Sequence, residues 1–190
     1  MSSKSRQMVT GFLMFLVSMI VAVQSFAQGP GITDASWVSM SPSTNGAVYA
    51  LAYYAGDIYA GGEFTEVDGL PANNIAKWNP ATSSWSALDS GMDGSVYALA
   101  CDSVGNLYAG GWFTTAGSAT VNNIAKWNGT VWSALGTGMN NNYYDAVYAL
   151  ASNAAGTTIY AGGSFVIVYN GATPVTVNNV ANGAAAYGLL

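Results

Sequence analysis

The sequence predicts an all-β protein of β-propeller-type repeats: about three four-stranded antiparallel blades in an incomplete ring, after an N-terminal signal peptide helix. Three observations predict this fold class. An apolar run lies near the N-terminus, a sequence unit recurs about every fifty residues, and aromatic and β-branched runs alternate with turn residues. Together they indicate an exported repeat protein.

The N-terminal segment has the three parts of a secretory signal peptide. Lys4 and Arg6 form a basic region, residues 12–23 (FLMFLVSMIVAV) form an apolar region, and Ser25 and Ala27 provide the small residues of a cleavage site. The apolar run is short for a bilayer-spanning helix, which needs about 20 residues. Cleavage is therefore favoured over a retained membrane anchor. We expect residues 1–27 to be removed, residues 28–36 to be a linker, and the protein to be secreted, extracellular or at the cell surface, with no membrane insertion afterwards.

The mature chain is dominated by one repeated unit with four short β-like runs. The first two are VYALA at 48–52, 96–100 and 147–151, and YAGG at 59–62, 108–111 and 160–163. The third is NNIAKWN at 73–79 and 122–128, with a decayed copy at 178–181, and the fourth is WSAL at 85–88 and 132–135. Four strands in such a unit are typical of a propeller blade. The predicted repeats occupy residues 37–190, at approximately 41–88, 89–135 and 136–190, the last degenerate.

Turn residues separate the predicted strands. Asp102 to Asn106 and Asn128-Gly129 indicate hairpin turns. A calcium site at Asp102 with Asn106 is the less favoured alternative. The glycine pair of the YAGG run fits a crowded position where backbones approach closely. The repeated Trp and Tyr residues are expected to pack between neighbouring blades, since a single four-stranded sheet cannot bury both of its faces. A flat or helical β-array is the alternative architecture.

Three blades are fewer than a propeller ring normally contains, which is about four to eight. The third unit lacks the Lys-Trp pair, and Tyr187 stands roughly where a Trp belongs. A stray copy of the fourth run, WVSM at residues 37–40, resembles a strand that closes a ring. We therefore expect an N-terminal part of a longer protein, with self-association into a closed ring as the rival explanation.

Charge and composition exclude several classes of partner and site. Beyond residue 27 the basic residues are Lys77 and Lys126, against all nine acidic residues of the chain, and histidine is absent. Nucleic acid binding depends on Lys and Arg at phosphates, so no nucleic acid partner is expected. The absence of histidine excludes Ser-His-Asp and Cys-His catalysis and histidine-based metal sites. We expect no catalytic residues, no metal and no cofactor.

The motifs also resemble a known family. The pattern NNIAKWNGxxWSALGxGM at residues 122–139, and VYALAxDxxGNLYAGGxFTTAG at residues 96–117, resemble bacterial secreted β-propeller repeats of the kelch and delta-60 type. The resemblance covers nearly all of residues 37–181. It implies an extracellular or cell-surface module and no shared catalytic residues.

One position in the unit varies while its surroundings repeat. Glu63, Trp112 and Ser164 follow the three YAGG runs, and such variation in a constant frame marks either a ligand-binding surface or a tolerant exposed site. We take these three as candidate ligand-binding residues. Glu63, Glu66 and Asp68 also offer the carboxylates that glycoside hydrolysis or calcium binding would need.

Other repeated polar residues have a functional and a structural interpretation. Lys77 and Lys126 could contact a ligand, but a stem lying over a Trp ring or an ion pair with a neighbouring blade is favoured. Asn73 and Asn74 are expected to fix loop backbone. Cys101, the lone cysteine, corresponds to Tyr53 and Ser152 in the other units, so chemistry there is not expected.

Three functions remain open. The favoured one is a non-enzymatic extracellular or cell-surface repeat module for binding or adhesion, with a glycan or protein ligand. The alternative is a purely structural propeller portion of a larger exported protein. The weakest is an exported hydrolase that uses carboxylates only.

Overall fold

The structure is a computed structural model that describes residues 43–139, 145–165, 167–170, 173–176 and 180–184. The predicted signal peptide at 1–27, the linker at 28–36, the WVSM run at 37–40 and Tyr187 lie outside the described residues. The approximate repeat boundaries stay predictions.

The first sheet contains four antiparallel strands in the order in which the four repeated runs occur. They are β1 (Ala47–Tyr54), β2 (Asp57–Glu63), β5 (Ile75–Asn79) and β6 (Ser84–Ala87), joined in the order β1-β2-β5-β6. A small hairpin of β3 (Glu66–Val67) and β4 (Leu70–Pro71) lies between β2 and β5. The Asp68-Gly69 turn of this hairpin has positive φ at both residues, as a tight hairpin requires.

The second sheet repeats this arrangement, and the third repeats most of it. The second consists of β7 (Val96–Cys101), β8 (Leu107–Gly111), β11 (Ile124–Trp127) and β12 (Trp132–Ala134), with the small hairpin β9 (Thr115–Ala116) and β10 (Ala119–Thr120). The described part of the third sheet has three strands, β13 (Val147–Ser152), β14 (Thr158–Gly163) and β17 (Val180–Ala184), with the hairpin β15 (Ile167–Asn170) and β16 (Thr173–Thr176).

The hydrophobic core lies between the sheets. One buried cluster joins Tyr59 and Ile75 of the first sheet to Val96 and Leu99 of the second. Another joins residues of the second sheet, such as Tyr108, to residues of the third. Each sheet therefore buries a face against its neighbour, as blades do. The predicted fold class is confirmed: within the described residues the protein has all-β, propeller-type antiparallel blades in an incomplete ring.

The glycine pairs are crowded on two sides. A Cβ added to Gly61 would lie 2.5 Å from Val96 Cγ1 of the next sheet, and one added to Gly110 would lie 2.5 Å from Val147 Cγ1. A Cβ on the second glycine of the pair, Gly62, would collide with the carbonyl oxygen of Ala47 in its own sheet. The sequence predicted this crowding, but the first glycine faces a neighbouring side chain rather than backbone.

The repeated aromatic residues follow the predicted packing in part. Trp132 is buried, and its indole N–H donates a hydrogen bond to the Leu88 carbonyl oxygen of the preceding sheet at 3.1 Å. Trp78 and Trp85 instead pair across neighbouring strands of one sheet, with ring centroids 5.4 Å apart. Within the described residues, no helix has the length and apolar character to span a membrane.

Candidate ligand-binding rim

The first strand of each sheet has a β-bulge at the same tyrosine. The pairing of β1 with β2 shifts between Val48 and Ala50, so Tyr49 is the extra residue. The same shift occurs at Tyr97 in β7 and at Tyr148 in β13. A bulge interrupts the regular alternation and re-aims the side chains around it. Each VYALA run therefore repeats a bulge as well as a strand.

The bulge lets a valine and a leucine face the same neighbouring sheet. Val96 and Leu99 are three positions apart, which would place them on opposite faces of a regular strand. Both nevertheless lie in front of Gly61, where an added Cβ would be 2.5 Å from Val96 Cγ1 and 3.3 Å from Leu99 Cδ1. The extra residue, Tyr97, therefore serves the packing of the sheets.

The three bulge tyrosines form a row across the sheets. The ring centroids of Tyr49 and Tyr97 are 5.7 Å apart, and those of Tyr97 and Tyr148 are 5.5 Å apart. Such tilted aromatic pairs stabilise by about 0.5–1.5 kcal/mol each. Tyr49 and Tyr148 are about half exposed, and Tyr97 is partly buried. The row, which we call the tyrosine ladder, thus offers aromatic surface and phenolic hydroxyl groups to solvent.

The structure places the three candidate residues beside this ladder, at the end where each second strand finishes. Glu63 pairs with Ala47 at the start of β1. The Trp112 N–H donates to the Ser95 carbonyl oxygen at 2.9 Å, just before β7. Ser164 exchanges two hydrogen bonds with the backbone of Ala146, just before β13. The three positions are equivalent in their sheets, and Glu63 and Trp112 are exposed.

A hydrogen bond connects Glu63 directly to the tyrosine ladder. The Tyr49 hydroxyl donates to Glu63 Oε2 at 3.0 Å. This bond, followed by burial and the carboxylate charge, raises the pKa of Tyr49 above its usual value. We call the set Tyr49, Glu63, Tyr97, Trp112, Tyr148 and Ser164 the tyrosine rim.

The tyrosine rim presents aromatic rings, hydroxyl groups and one carboxylate. Among the residues that the structure describes, no three of His, Cys, Asp and Glu are grouped so as to hold a metal ion. Whether the rim binds a ligand stays a prediction.

The sequence did not identify the tyrosine ladder as part of this site. The tyrosines were expected only to pack between blades, which their ring contacts partly satisfy. The spacing of Val and Leu in the VYALA run could have revealed the bulge. These two residues are three positions apart, and they can face the core together only if the strand has a bulge between them.

Asp102 organises a turn, as the hairpin interpretation requires. Its side chain is buried, and Oδ1 accepts the N–H groups of Val104 at 3.0 Å and Asn106 at 2.8 Å. Its Oδ2 accepts the Asn106 side-chain amide at 2.5 Å and the Tyr108 hydroxyl at 3.3 Å. Both carboxylate oxygens are thus occupied within the turn. The alternative of a calcium site here has no support from this arrangement.

The repeated asparagines fix loop backbone, as predicted. Asn74 has a φ of 65°, and its side chain accepts the Phe64 N–H at 3.2 Å and donates to the Met92 carbonyl oxygen at 2.9 Å. Asn123 has a φ of 62° and accepts the Phe113 N–H at 3.3 Å. Asn is one of the few residues besides Gly that adopts this conformation readily.

Both lysines contact side chains of their own sheets, and these partners differ from those expected. Lys77 Nζ lies 3.0 Å from Asp57 Oδ2, in the same sheet rather than a neighbouring one. Lys126 Nζ lies 5.9 Å from the centroid of the Tyr108 ring, not over a Trp ring. The reason is the register, because Lys126 is directly opposite Tyr108 across β11 and β8.

Cys101 is partly buried at the end of β7. Burial, and then the charge of Asp102, raises the pKa of its thiol to about 11. Because the thiolate is the reactive form, we expect this thiol to react slowly near neutral pH.

Comparison with known proteins adds a family. A family model described as the Rax2 C-terminal beta propeller domain matches residues 32–173. No curated protein matches the chain. Among solved structures, the chain is similar to the extracellular domain of a hybrid two-component system from B. thetaiotaomicron, at 15% identity and a TM-score of 0.42. The match covers 62% of this chain and 14% of that one.

Proposed function

Because the chain belongs to the family of Rax2 C-terminal β-propeller domains, we propose that it is a non-enzymatic binding module that works outside the cell and holds a glycan on its tyrosine rim. The observation that carries this proposal is the tyrosine ladder. A bulge repeated in three sheets keeps three aromatic rings in one row at the surface.

The chemistry of the rim favours a neutral, hydroxyl-rich ligand. Exposed aromatic rings pack on the apolar faces of sugar rings, and phenolic hydroxyl groups exchange hydrogen bonds with sugar hydroxyls. Glu63 adds a strong acceptor, and Trp112 adds a second exposed aromatic side chain. No arginine occurs after residue 6, so the planar guanidinium that recognises phosphates and carboxylates is missing from this surface.

The extracellular location rests on the sequence. The predicted signal peptide at residues 1–27 and the resemblance to secreted kelch and delta-60 repeats both support export. With charged residues at only 7% of the chain, the surface is also unlike that of a protein that binds polyanions.

A glycan array with the secreted chain tests the proposal. We expect selective binding that falls at least about tenfold, or 1.4 kcal/mol, in Tyr148→Ala. Tyr148 is already about half exposed, so its removal leaves the core intact. Val104→Ala is the control, since Val104 is 75% exposed in the turn between β7 and β8, at the end of these strands opposite the rim.

Other outcomes would favour the other functions. An array with no signal, from a chain that unfolds cooperatively, would favour a purely structural portion of a larger exported protein. Hydrolysis of a bound glycan that is lost in Glu63→Gln would favour a hydrolase that uses carboxylates. Binding that Tyr148→Ala leaves unchanged would place the ligand away from the rim.

A further inference from the structure

Among the described residues, nothing covers the face of β1 that corresponds to the covered faces of β7 and β13. Val48 is 43% exposed and Leu51 is 63% exposed, whereas Val96 and Leu99 at the same positions of β7 are 0% and 8% exposed. The difference does not come from sequence, because all belong to VYALA runs. Val96 and Leu99 are buried because Gly61 of the preceding sheet packs against them.

A second observation marks the same end of the molecule. Gly105 lies at the tip of the hairpin between β7 and β8 in the second sheet. A Cβ added to Gly105 would lie 2.5 Å from the ring of Tyr54 in the first sheet. The corresponding glycine of the third sheet, Gly156, lies against Ser103 and accepts its N–H at 3.1 Å. Gly56, the tip glycine of the first sheet, has nothing within 4 Å of a potential Cβ.

The opposite end of the molecule exposes the complementary surface. Tyr160 of β14 is 44% exposed, whereas Tyr108 at the same position of β8 is 0% exposed. The run Tyr160-Ala161-Gly162-Gly163 repeats the run that contains Gly61, so Gly162 occupies the position that receives a valine and a leucine in the other sheets. The second strand of the third sheet, β14, therefore presents the same kind of surface that packs on the valine and leucine of β7 and β13 within the chain.

We propose that a second copy of this chain covers β1, with its β14 packed on Val48 and Leu51 and its Gly162 in the place that Gly61 takes against Val96. The contact is head-to-tail and continues the two sheet-to-sheet interfaces already present within one chain. Two copies of the three described sheets would make a ring of six blades, inside the usual range of about four to eight. Head-to-tail contacts give closed rings when their rotation closes.

The pairing is tested separately from the glycan-binding proposal, because Leu51 of β1 and Tyr160 of β14 lie outside the tyrosine rim. A second copy would also set Tyr148 of one chain beside Tyr49 of the other. The tyrosine ladder would then continue from one chain into the next.

Light scattering on the secreted chain, coupled to size-exclusion chromatography, tests the pairing. We expect the mass of two chains for the wild type and of one chain for Leu51→Asp. Leu70→Asp is the matched control, because Leu70 is 46% exposed on the small β3–β4 hairpin that connects β2 to β5, and we expect it to keep the mass of two chains.

A complementation experiment distinguishes head-to-tail pairing from any symmetric contact. Leu51→Asp retains an intact β14, and Tyr160→Asp retains an intact β1, so each variant alone should have the mass of one chain. Their mixture should recover the mass of two chains through the one interface that remains intact. A wild-type mass of one or of three chains, a Leu51→Asp variant that still pairs, or a mixture that stays monomeric would each overturn the proposal.

Discussion

Adding a single methyl group at Gly61 tests how the sheets pack. In Gly61→Ala the new Cβ would lie 2.5 Å from Val96 Cγ1, 3.1 Å from Val96 Cβ and 3.3 Å from Leu99 Cδ1. Carbon atoms in contact are ordinarily about 3.5–4.0 Å apart. The second sheet would therefore have to move away by roughly 1 Å, or Val96 would have to leave its rotamer.

The expected cost is that of overpacking a dense core. Inserting a methyl group of this kind destabilises by about 1–3 kcal/mol. In a domain of about 150 residues, each kcal/mol lowers the melting temperature by about 2–4 °C. Val96→Ala alone removes two methyl groups and should cost about 1.6 kcal/mol for burial plus a cavity contribution.

The two changes should compensate each other. In the double variant, the methyl group added by Gly61→Ala occupies the space that Val96 Cγ1 vacates, so the combined loss should be smaller than the sum by about 0.5–3 kcal/mol. Urea denaturation of the four proteins measures this difference. The pair Gly110 and Val147, with the same 2.5 Å approach, provides a replicate at the next interface. Strict additivity, or no loss of stability in Gly61→Ala, would refute the packing described.

Three further predictions concern single side chains. Burial raises the pKa of Asp93, but hydrogen bonds from Thr114 and Thr115 outweigh burial, so the pKa is lowered on folding. The ionised Asp93 therefore stabilises the fold above its unfolded pKa, and this stabilisation is lost as the pH falls through its folded pKa. The stability of Asp93→Asn should depend less on pH below about 4 than that of the wild type, and an unchanged acid unfolding curve would contradict this. Trp132→Phe leaves a carbonyl oxygen of the preceding sheet without its donor and should cost about 1–3 kcal/mol in urea unfolding; a cost near zero would exclude a role for that bond. Lys77→Met should change stability by less than about 1 kcal/mol because its ion pair is partly exposed, and a larger loss in the same assay would show that the pair is stronger than its exposure implies.

Asn45 explains why Asp93→Asn should fold. In the first sheet, Asn45 Oδ1 accepts the N–H groups of Thr65 at 2.9 Å and Glu66 at 3.0 Å. Asp93 Oδ1 accepts the equivalent N–H groups of Thr114 and Thr115, both at 2.8 Å. The two residues therefore fix the same turn, one with a charge and the other without, and the variant changes only the titration.

The sequence was sufficient for the strands because each carries its own local signal. The VYALA, YAGG, IAKW and WSA runs are rich in residues that favour strands, and the turns between them contain Gly, Asn and Asp. Repetition then identified the blades. The β3–β4 hairpin escaped detection because Glu66–Val67 and Leu70–Pro71 are too short to show alternation.

The site was harder to predict than the strands because it depends on register. The position of Glu63 was visible as a variable residue in a constant frame, but its contact with Tyr49 requires the bulge in β1. Similarly, Asp57 lies near Lys77 only because Tyr59 is directly opposite Lys77 across β2 and β5. Register depends on turn geometry and on which residues of two paired strands face the core, so it cannot be determined from either strand alone.

The most direct test of the tyrosine rim as a binding site is an NMR map of the chemical-shift changes caused by the glycan with the strongest array signal. The account predicts the largest changes at the backbone amides of Tyr97 and Trp112, with little change at Gly105 and Gly156 on the hairpin tips at the other end of the strands. Changes concentrated at those hairpin tips, with the rim unaffected, would contradict it.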